Sequence, residues 1–372
     1  MKKRCYKEIE TLEGLAQAVK EANSGVLEHL AFQSIDLSAY KDADLRYKDC
    51  LFLGCLIPNE IQMRMEEDCV VFPTIRMPFD VFPNALYKAE TLYKGYDPNN
   101  EESFNSCYDT TVYQHYIAEG KHADDIKETL ARSLHDHFIS DAMYDLLEKY
   151  SERDVCGIMG GHSLKRNDEG YRKIVLICKE LTEKGKLMIS GGGPGAMEAT
   201  HLGAWMAGRS LEEVDDAIKI LCDASLSFNG GAWLSSAFKV MKKYPRNEKY
   251  RSLGIPTFFY GHEPATPFAS DIAKYFDNSI REDGILAIAK GGIVYTPGSA
   301  GTIQEIFQDA AQNHYCTFGY SSPMIFLGVD FFTKDVPVYP FMQGLVENGR
   351  YKNMILSITD DPAVVVDKIM NW

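Results

Sequence analysis

Two glycine-rich stretches carry the chemistry that this sequence offers. The first is Ser190-Gly191-Gly192-Gly193-Pro194-Gly195-Ala196-Met197-Glu198, directly after the apolar run Leu187-Met188-Ile189. Glycines allow positive φ and let the backbone approach a ligand closely. A helix opening behind them presents free N–H groups and about half a positive charge. That combination suits an anion, most naturally a phosphate. The second stretch is Thr296-Pro297-Gly298-Ser299-Ala300-Gly301-Thr302-Ile303-Gln304-Glu305, again between a strand and a helix. Two helix N-termini can therefore converge on one ligand. Neither stretch is the dinucleotide fingerprint G-x-G-x-x-G, and no Gly-Lys-Ser/Thr follows to make a Walker A loop. Glu305 falls about one turn inside the second helix. Its side chain can point back to the loop or serve as an ordinary partner of the helix dipole, and spacing leaves both readings open.

Loops of this kind need strands that deliver them to one edge. From Asp154 onward the pattern supplies them. Short apolar strands are expected at 155–159, 187–189, 257–260, 292–295, 324–329 and 354–358. Helices are expected at 171–183, 197–206, 268–289 (with Asp283-Gly284 as a break), 303–312, 339–347 and 362–370. A polar, mostly helical insertion fills 209–252. Strands alternating with helices predict an α/β fold, a doubly wound parallel sheet. Ligands of such sheets sit at the carboxyl ends of the strands.

The N-terminal region reads differently. Thr11 to Ala22 has the spacing of an amphipathic helix. Five-residue blocks follow at 35–39, 43–47, 48–52 and 53–57, centred on Leu37, Leu45, Cys50 and Cys55. They resemble rungs of a pentapeptide β-helix, with Glu67-Asp68-Cys69-Val70-Val71 as a further rung; plain short strands are the alternative. Residues 109–150 read as helices with a buried stripe at Ile126, Leu130, Leu134, Phe138 and Met143. His135 and His137 lie two apart and so face apart, which argues against a metal pair and for ordinary polar helix positions. The expected division is a strand-rich extension at 1–95, a helical connector at 96–150 and a nucleotide-binding domain at 151–372.

Hydrophobic residues make up 45% and charged residues 25% of the 372, as in globular proteins with a full core. The net charge of −14 argues against a nucleic-acid polymer as partner. No run approaches the ~18 apolar residues of a membrane helix, and no signal peptide is recognisable. Nine cysteines without C-x-x-C spacing read as reduced thiols, hence a cytoplasmic location.

The pair Gly-Gly-Gly-x-x-Gly-x-Met and Pro-Gly-x-x-Gly-Thr-x-x-Glu resembles the LOG family, Rossmann-like nucleoside 5′-monophosphate phosphoribohydrolases long labelled lysine decarboxylases. The match runs from Val155 to the C-terminus and includes Tyr171, Leu327-Gly328-Val329-Asp330 and Ile358-Thr359-Asp360-Asp361-Pro362. Ser299 departs from it, standing where the family has a second glycine. The segment Glu263-Pro264-Ala265-Thr266-Pro267 resembles the longer bacterial pyrimidine/purine nucleotide 5′-monophosphate nucleosidases. Arg281, 24 residues before Glu305, occupies the place of the family's catalytic arginine, although the Met-His-Glu-Arg-Lys context is absent. Residues 1–150 match neither group.

The resemblance implies hydrolysis of the N-glycosidic bond of a nucleoside 5′-monophosphate to free base and ribose 5-phosphate. Glu305 and Arg281 would be catalytic. Gly160, Gly161, Gly191, Gly192, Gly193, Gly195, Met197, Glu198, Gly298, Ser299, Gly301 and Thr302 would bind substrate. Ser163 and His262 lie near these loops, His262 reading better as a solvated loop residue, and Arg166 reads better as a surface charge than as a phosphate ligand. No metal and no cofactor is expected, and the resemblance implies a homodimer or higher homo-oligomer. The rival is a non-catalytic nucleotide or cofactor carrier on the same fold, which would not need Arg281 and Glu305 as a pair. A pyridoxal phosphate enzyme would need a Schiff-base lysine, and Lys290 sits in a Lys-Gly-Gly turn instead.

Overall fold

The computed structural model describes residues 6–222, 230–260 and 265–372. His262 and the Glu263-Pro264 part of the proline-rich segment lie outside these residues. The chain forms two compact units, residues 1–86 with 122–142 and residues 87–121 with 143–372.

The first unit begins with β1 (Lys7–Ile9) and α1 (Leu12–Glu21), whose N-cap Thr11 accepts from Gly14 N at 3.0 Å. Five strands follow: β2 (Val26–Glu28), β3 (Leu30–Gln33), β4 (Arg46–Lys48), β5 (Leu51–Leu53) and β6 (Val70–Phe72). A short helix α2 (Asn59–Gln62) interrupts them. Every pairing is parallel, in the orders β1-β3-β5-β6 and β2-β4. Ala31 pairs with Leu51 and Leu27 with Tyr47, so one coil takes 20 residues, or four five-residue blocks. The block centres Leu37, Leu45, Cys50 and Cys55 are all buried, and Phe32 stacks on Phe52 at 4.9 Å. Of the two sequence readings the structure takes the stacked coil, with β6 carrying the rung expected around Cys69.

Helices α3 (Ala89–Leu92), α4 (Tyr108–Glu119) and α5 (Ile126–Leu147) come next. The stripe expected on α5 is corrected. Phe138 and Met143 are buried as expected, but Ile126 and Leu130 are exposed, and Ala131 and Ile139 are buried in their place. Phe79 and Phe82 of the same unit select that face, edge-on to His135 at 5.7 Å and beside Phe138 at 5.4 Å. His135 is therefore a core residue, bonded to Asp136 at 2.8 Å, while His137 points outward.

The second unit is a seven-stranded, all-parallel sheet. In chain order it comprises β7 (Val155–Met159), α6 (Glu169–Glu183), β8 (Leu187–Ser190), α7 (Ala196–Trp205), α8 (Leu211–Cys222), α9 (Gly230–Lys243), β9 (Ser252–Gly254), β10 (Asp271–Ile272), α10 (Asn278–Ile288), β11 (Ile293–Tyr295), α11 (Ala300–Tyr315), β12 (Pro323–Leu327), α12 (Val338–Glu347), β13 (Ile355–Thr359) and α13 (Pro362–Met370). The spatial order is β10-β9-β8-β7-β11-β12-β13. The chain winds outward from β7 to β10, then returns to lay β11 against β7. This is a Rossmann-like doubly wound fold with its switch point between β7 and β11. Tyr171, Ile174 and Cys178 of α6 pack with Ala199 and Leu202 of α7 in its core.

Two expected elements move. The strand placed at 257–260 lies earlier, at β9, because Pro256 ends the ladder and Thr257 keeps only a single bridge to Tyr275. The helix placed from Phe268 starts at Asn278, capped by Asp277 whose Oδ1 accepts from Ser279 N at 2.8 Å, and Gly284 does not break it. Among the described residues no helix is long and apolar enough to cross a membrane.

Candidate functional site

Parallel strands deliver all their carboxyl ends to one edge of the sheet. The order β8-β7-β11 makes the loops after these strands neighbours. Gly160-Gly161, after β7, lies between the two glycine stretches. Gly161 N donates to Pro297 O at 3.1 Å, and Gly161 O accepts from Ala196 N at 3.2 Å. One dipeptide thus ties both loops together. A Cβ on Gly160 would overlap Thr296 Oγ1 and stand 2.9 Å from Ala196 Cβ. Gly195 adopts φ 74° and ψ −130°, where a side chain would also run into Gly161 O.

Gly191, Gly192 and Gly193 are buried, and the first two serve close packing. A Cβ on Gly191 would meet Met197 and lie 2.8 Å from Arg281 Nη2; one on Gly192 would meet Pro256. Gly192 O accepts from Thr266 N at 2.6 Å. Gly191 O lies 3.1 Å from Nε2 of His201, whose Nδ1 is 3.0 Å from Ser252 Oγ. His201 is fully buried, and burial lowers its pKa to about 4, so the imidazole is neutral. Nε2–H then donates to the carbonyl, and Nδ1 accepts from the serine hydroxyl. Sequence reasoning missed His201; its signal was the i, i+4 spacing from Met197 on one face of α7.

The second loop is the open side of the site. Ser299, Ala300 and Gly301 are exposed at the start of α11, and Ser299 makes no side-chain capping bond. Thr302 is buried, with Oγ1 against Gly298. Ser163 is exposed beside Gly161.

Arg281 lies one turn into α10. Its Nε donates to Ile255 O at 3.0 Å, so the guanidinium is held just past β9 with Nη2 over Gly191. Glu305 is half-buried on α11. Burial raises its pKa to about 7; the Arg281 charge pulls it down and the Glu282 carboxylate pushes it up. Glu282 is itself held by Asn278 Nδ2 at 2.6 Å. One turn beyond Glu305, Asp309 accepts from Tyr295 OH at 2.7 Å and from Asn313 Nδ2 at 3.2 Å. Burial raises Asp309 to about 7 as well, although the Tyr295 bond opposes it. Asp309 was another residue the sequence analysis did not single out, and its i, i+4 spacing from Glu305 was the available clue.

Arg166 and Glu198 are corrected together. Glu198 was expected to bind substrate and Arg166 to be a surface charge. Both are buried, joined at 2.9 Å (Nε to Oε2) and 2.6 Å (Nη2 to Oε1). Tyr171 OH donates to Glu198 Oε2 at 3.0 Å, and Arg166 Nη1 donates to Leu221 O and Ser236 Oγ at 3.1 and 2.8 Å. Both carboxylate oxygens are engaged, so Glu198 staples α7 to the loop before α6. Lys290 pairs with Glu152 at 2.6 Å, as a turn lysine can.

No family model and no curated protein matches the chain. Solved structures do. The molybdenum cofactor binding protein from the phototrophic bacterium Rippkaea orientalis is 13% identical, with 58% of this chain and 95% of that one covered and a TM-score of 0.38. The molybdenum cofactor carrier protein of Chlamydomonas reinhardtii is 13% identical over 59% and 98%, with a TM-score of 0.36. TM1055 is 16% identical over 59% and 99%, with a TM-score of 0.38.

Proposed function

We propose that this chain hydrolyses the N-glycosidic bond of nucleoside 5′-monophosphates. The observation that carries the reading is that Arg281, held over the first glycine loop, lies near enough for its charge to act on the half-buried carboxyl group of Glu305 behind the second. A carboxyl group shifted to about 7 beside a fixed cation is a mark of an acid–base site.

Each step follows from these groups. The N–H groups at the start of α11 take the phosphate, and the helix dipole favours its charge. This requires no basic protein, so a net charge of −14 is compatible with a single nucleotide. The glycosidic bond breaks through an oxocarbenium-like state, which an adjacent carboxylate stabilises. Glu305 in its ionised form orients the ribose hydroxyls or the attacking water. Arg281 holds the phosphate or the departing base through its planar guanidinium. His201 fixes the Gly191 carbonyl under the guanidinium. The same reading implies a cytoplasmic homodimer or higher homo-oligomer, testable by light scattering.

The test is a panel of AMP, GMP, IMP, CMP and UMP incubated with the protein and assayed for free base. Release from at least one, abolished in Glu305→Gln, supports the hydrolase. Binding without release from any of them favours a carrier on the same fold.

A further inference from the structure

At the far end of α7 from Gly195 the second unit holds a cavity of about 640 Å³. The helix has ten residues, so this cavity lies roughly 15 Å along its axis from the glycine loop. Its apolar wall is formed by Trp205, Phe238, Met241, Pro98 and Pro267. Trp205 is fixed by its indole N–H, which donates to Tyr244 O at 2.7 Å, and by Phe268, edge-on at 5.9 Å. Phe238 is fixed by Tyr93 and Tyr96, at 6.1 and 5.6 Å. Two aromatic rings are thus held rigid at the wall of a cleft of drug-like size.

The charge around this wall reverses that of the chain. Lys88, Lys239, Lys242 and Arg246 line the cavity against only Glu90 and Glu248, in a protein of net −14. Arg246 is held in place: it grips Glu248 at 2.8 and 2.7 Å and lies 5.9 Å from the Trp205 ring centre. The side chains of Lys239 and Lys242 have no hydrogen-bond or ion-pair partner among the described residues, and Lys88 lies within electrostatic reach of Glu248. Unpaired cations grouped beside rigid aromatic rings form a two-part recognition surface. The rings accept a flat apolar body, and the ammonium groups accept a carboxylate, sulfonate or phosphate attached to it.

We propose that this cavity is a second ligand site, separate from the glycine loops, for a small aromatic anion. It does not depend on the hydrolase reading. The probe is 8-anilinonaphthalene-1-sulfonate, titrated into the full chain and followed by its fluorescence. One saturable site is expected. Lys239→Glu with Lys242→Glu, both at exposed positions, should weaken binding at least tenfold, with the circular dichroism spectrum unchanged. N-phenyl-1-naphthylamine, which lacks the sulfonate, should bind at least tenfold more weakly to the unaltered protein, and salt should weaken the sulfonate alone. Arg281→Ala should leave the titration unchanged. No saturable binding, equal affinity in the charge-reversed variant, equal affinity for the neutral dye, or loss of binding in Arg281→Ala would each overturn the proposal.

Discussion

Raising the pH from 6 to 8 should increase the rate of base release about tenfold, through Glu305. The perturbation acts on a single carboxyl group. Burial places its pKa at about 7, with Arg281 and Glu282 pulling in opposite directions. If the ionised form is the working one, its fraction is about 0.1 at pH 6, about 0.5 at pH 7 and about 0.9 at pH 8. The rate should follow that fraction while KM moves little. Glu305→Gln should remove the limb and lower kcat by ~10²- to 10⁴-fold, the usual worth of a positioned acid–base group. The neighbours set the sign of two further shifts. Glu282→Gln removes a repelling charge, so the limb moves to lower pH. Arg281→Met removes an attracting one, so any residual activity has its limb at higher pH. The assay is single-turnover base release by chromatography across pH 5 to 9. A limb centred near the ordinary glutamate value, an upward shift in Glu282→Gln, or an unchanged profile in Glu305→Gln would each refute the reasoning.

Three other outcomes concern the frame around the site. Glu198→Ala leaves Arg166 charged and buried, so it should cost about 3–5 kcal/mol in urea unfolding, whereas replacing both members of the pair by methionine should cost less. His201 has a lowered folded pKa of about 4, so its contribution to stability is present above the ordinary histidine value and lost as pH falls towards 4. That amounts to about 3 kcal/mol, and His201→Gln should flatten the decline when unfolding is compared at pH 7 and 4.5. Asp309 has the opposite sign: its raised pKa of about 7 gives stability that is full at low pH and lost as pH rises through 7. Asp309→Asn should therefore gain relative stability between pH 5 and 8 in the same unfolding assay.

The parts legible in the sequence were those written in local signals. Glycine runs between a strand and a helix located both loops, and Asp361 followed by Pro362 marked the start of α13, where Asp361 Oδ1 accepts from Ala363 N at 2.9 Å. Block spacing foreshadowed the N-terminal coil, because one turn of it takes 20 residues. What stayed hidden depended on distant partners. Arg166 looks like any loop cation until Glu198, 32 residues later, meets it inside the core. The face of α5 was set by Phe79 and Phe82 from a separate segment, so the stripe through Ile126 and Leu130 was misplaced. β9 was missed because Ser252–Gly254 is three residues long with Leu253 its one large apolar side chain, while the richer run at 257–260 follows a proline. The glycines were legible as glycines, but their task of packing three loops together needed the sheet order.

The central claim rests on Arg281 and Glu305 acting together on a nucleotide. Its most direct test is release of free base from the panel of nucleoside 5′-monophosphates, measured for the unaltered chain beside Glu305→Gln and Arg281→Ala. The account predicts release from at least one nucleotide, with stoichiometric ribose 5-phosphate, and its collapse in both variants. Binding of a nucleotide with no base released from any member, or release that survives both substitutions, would contradict it.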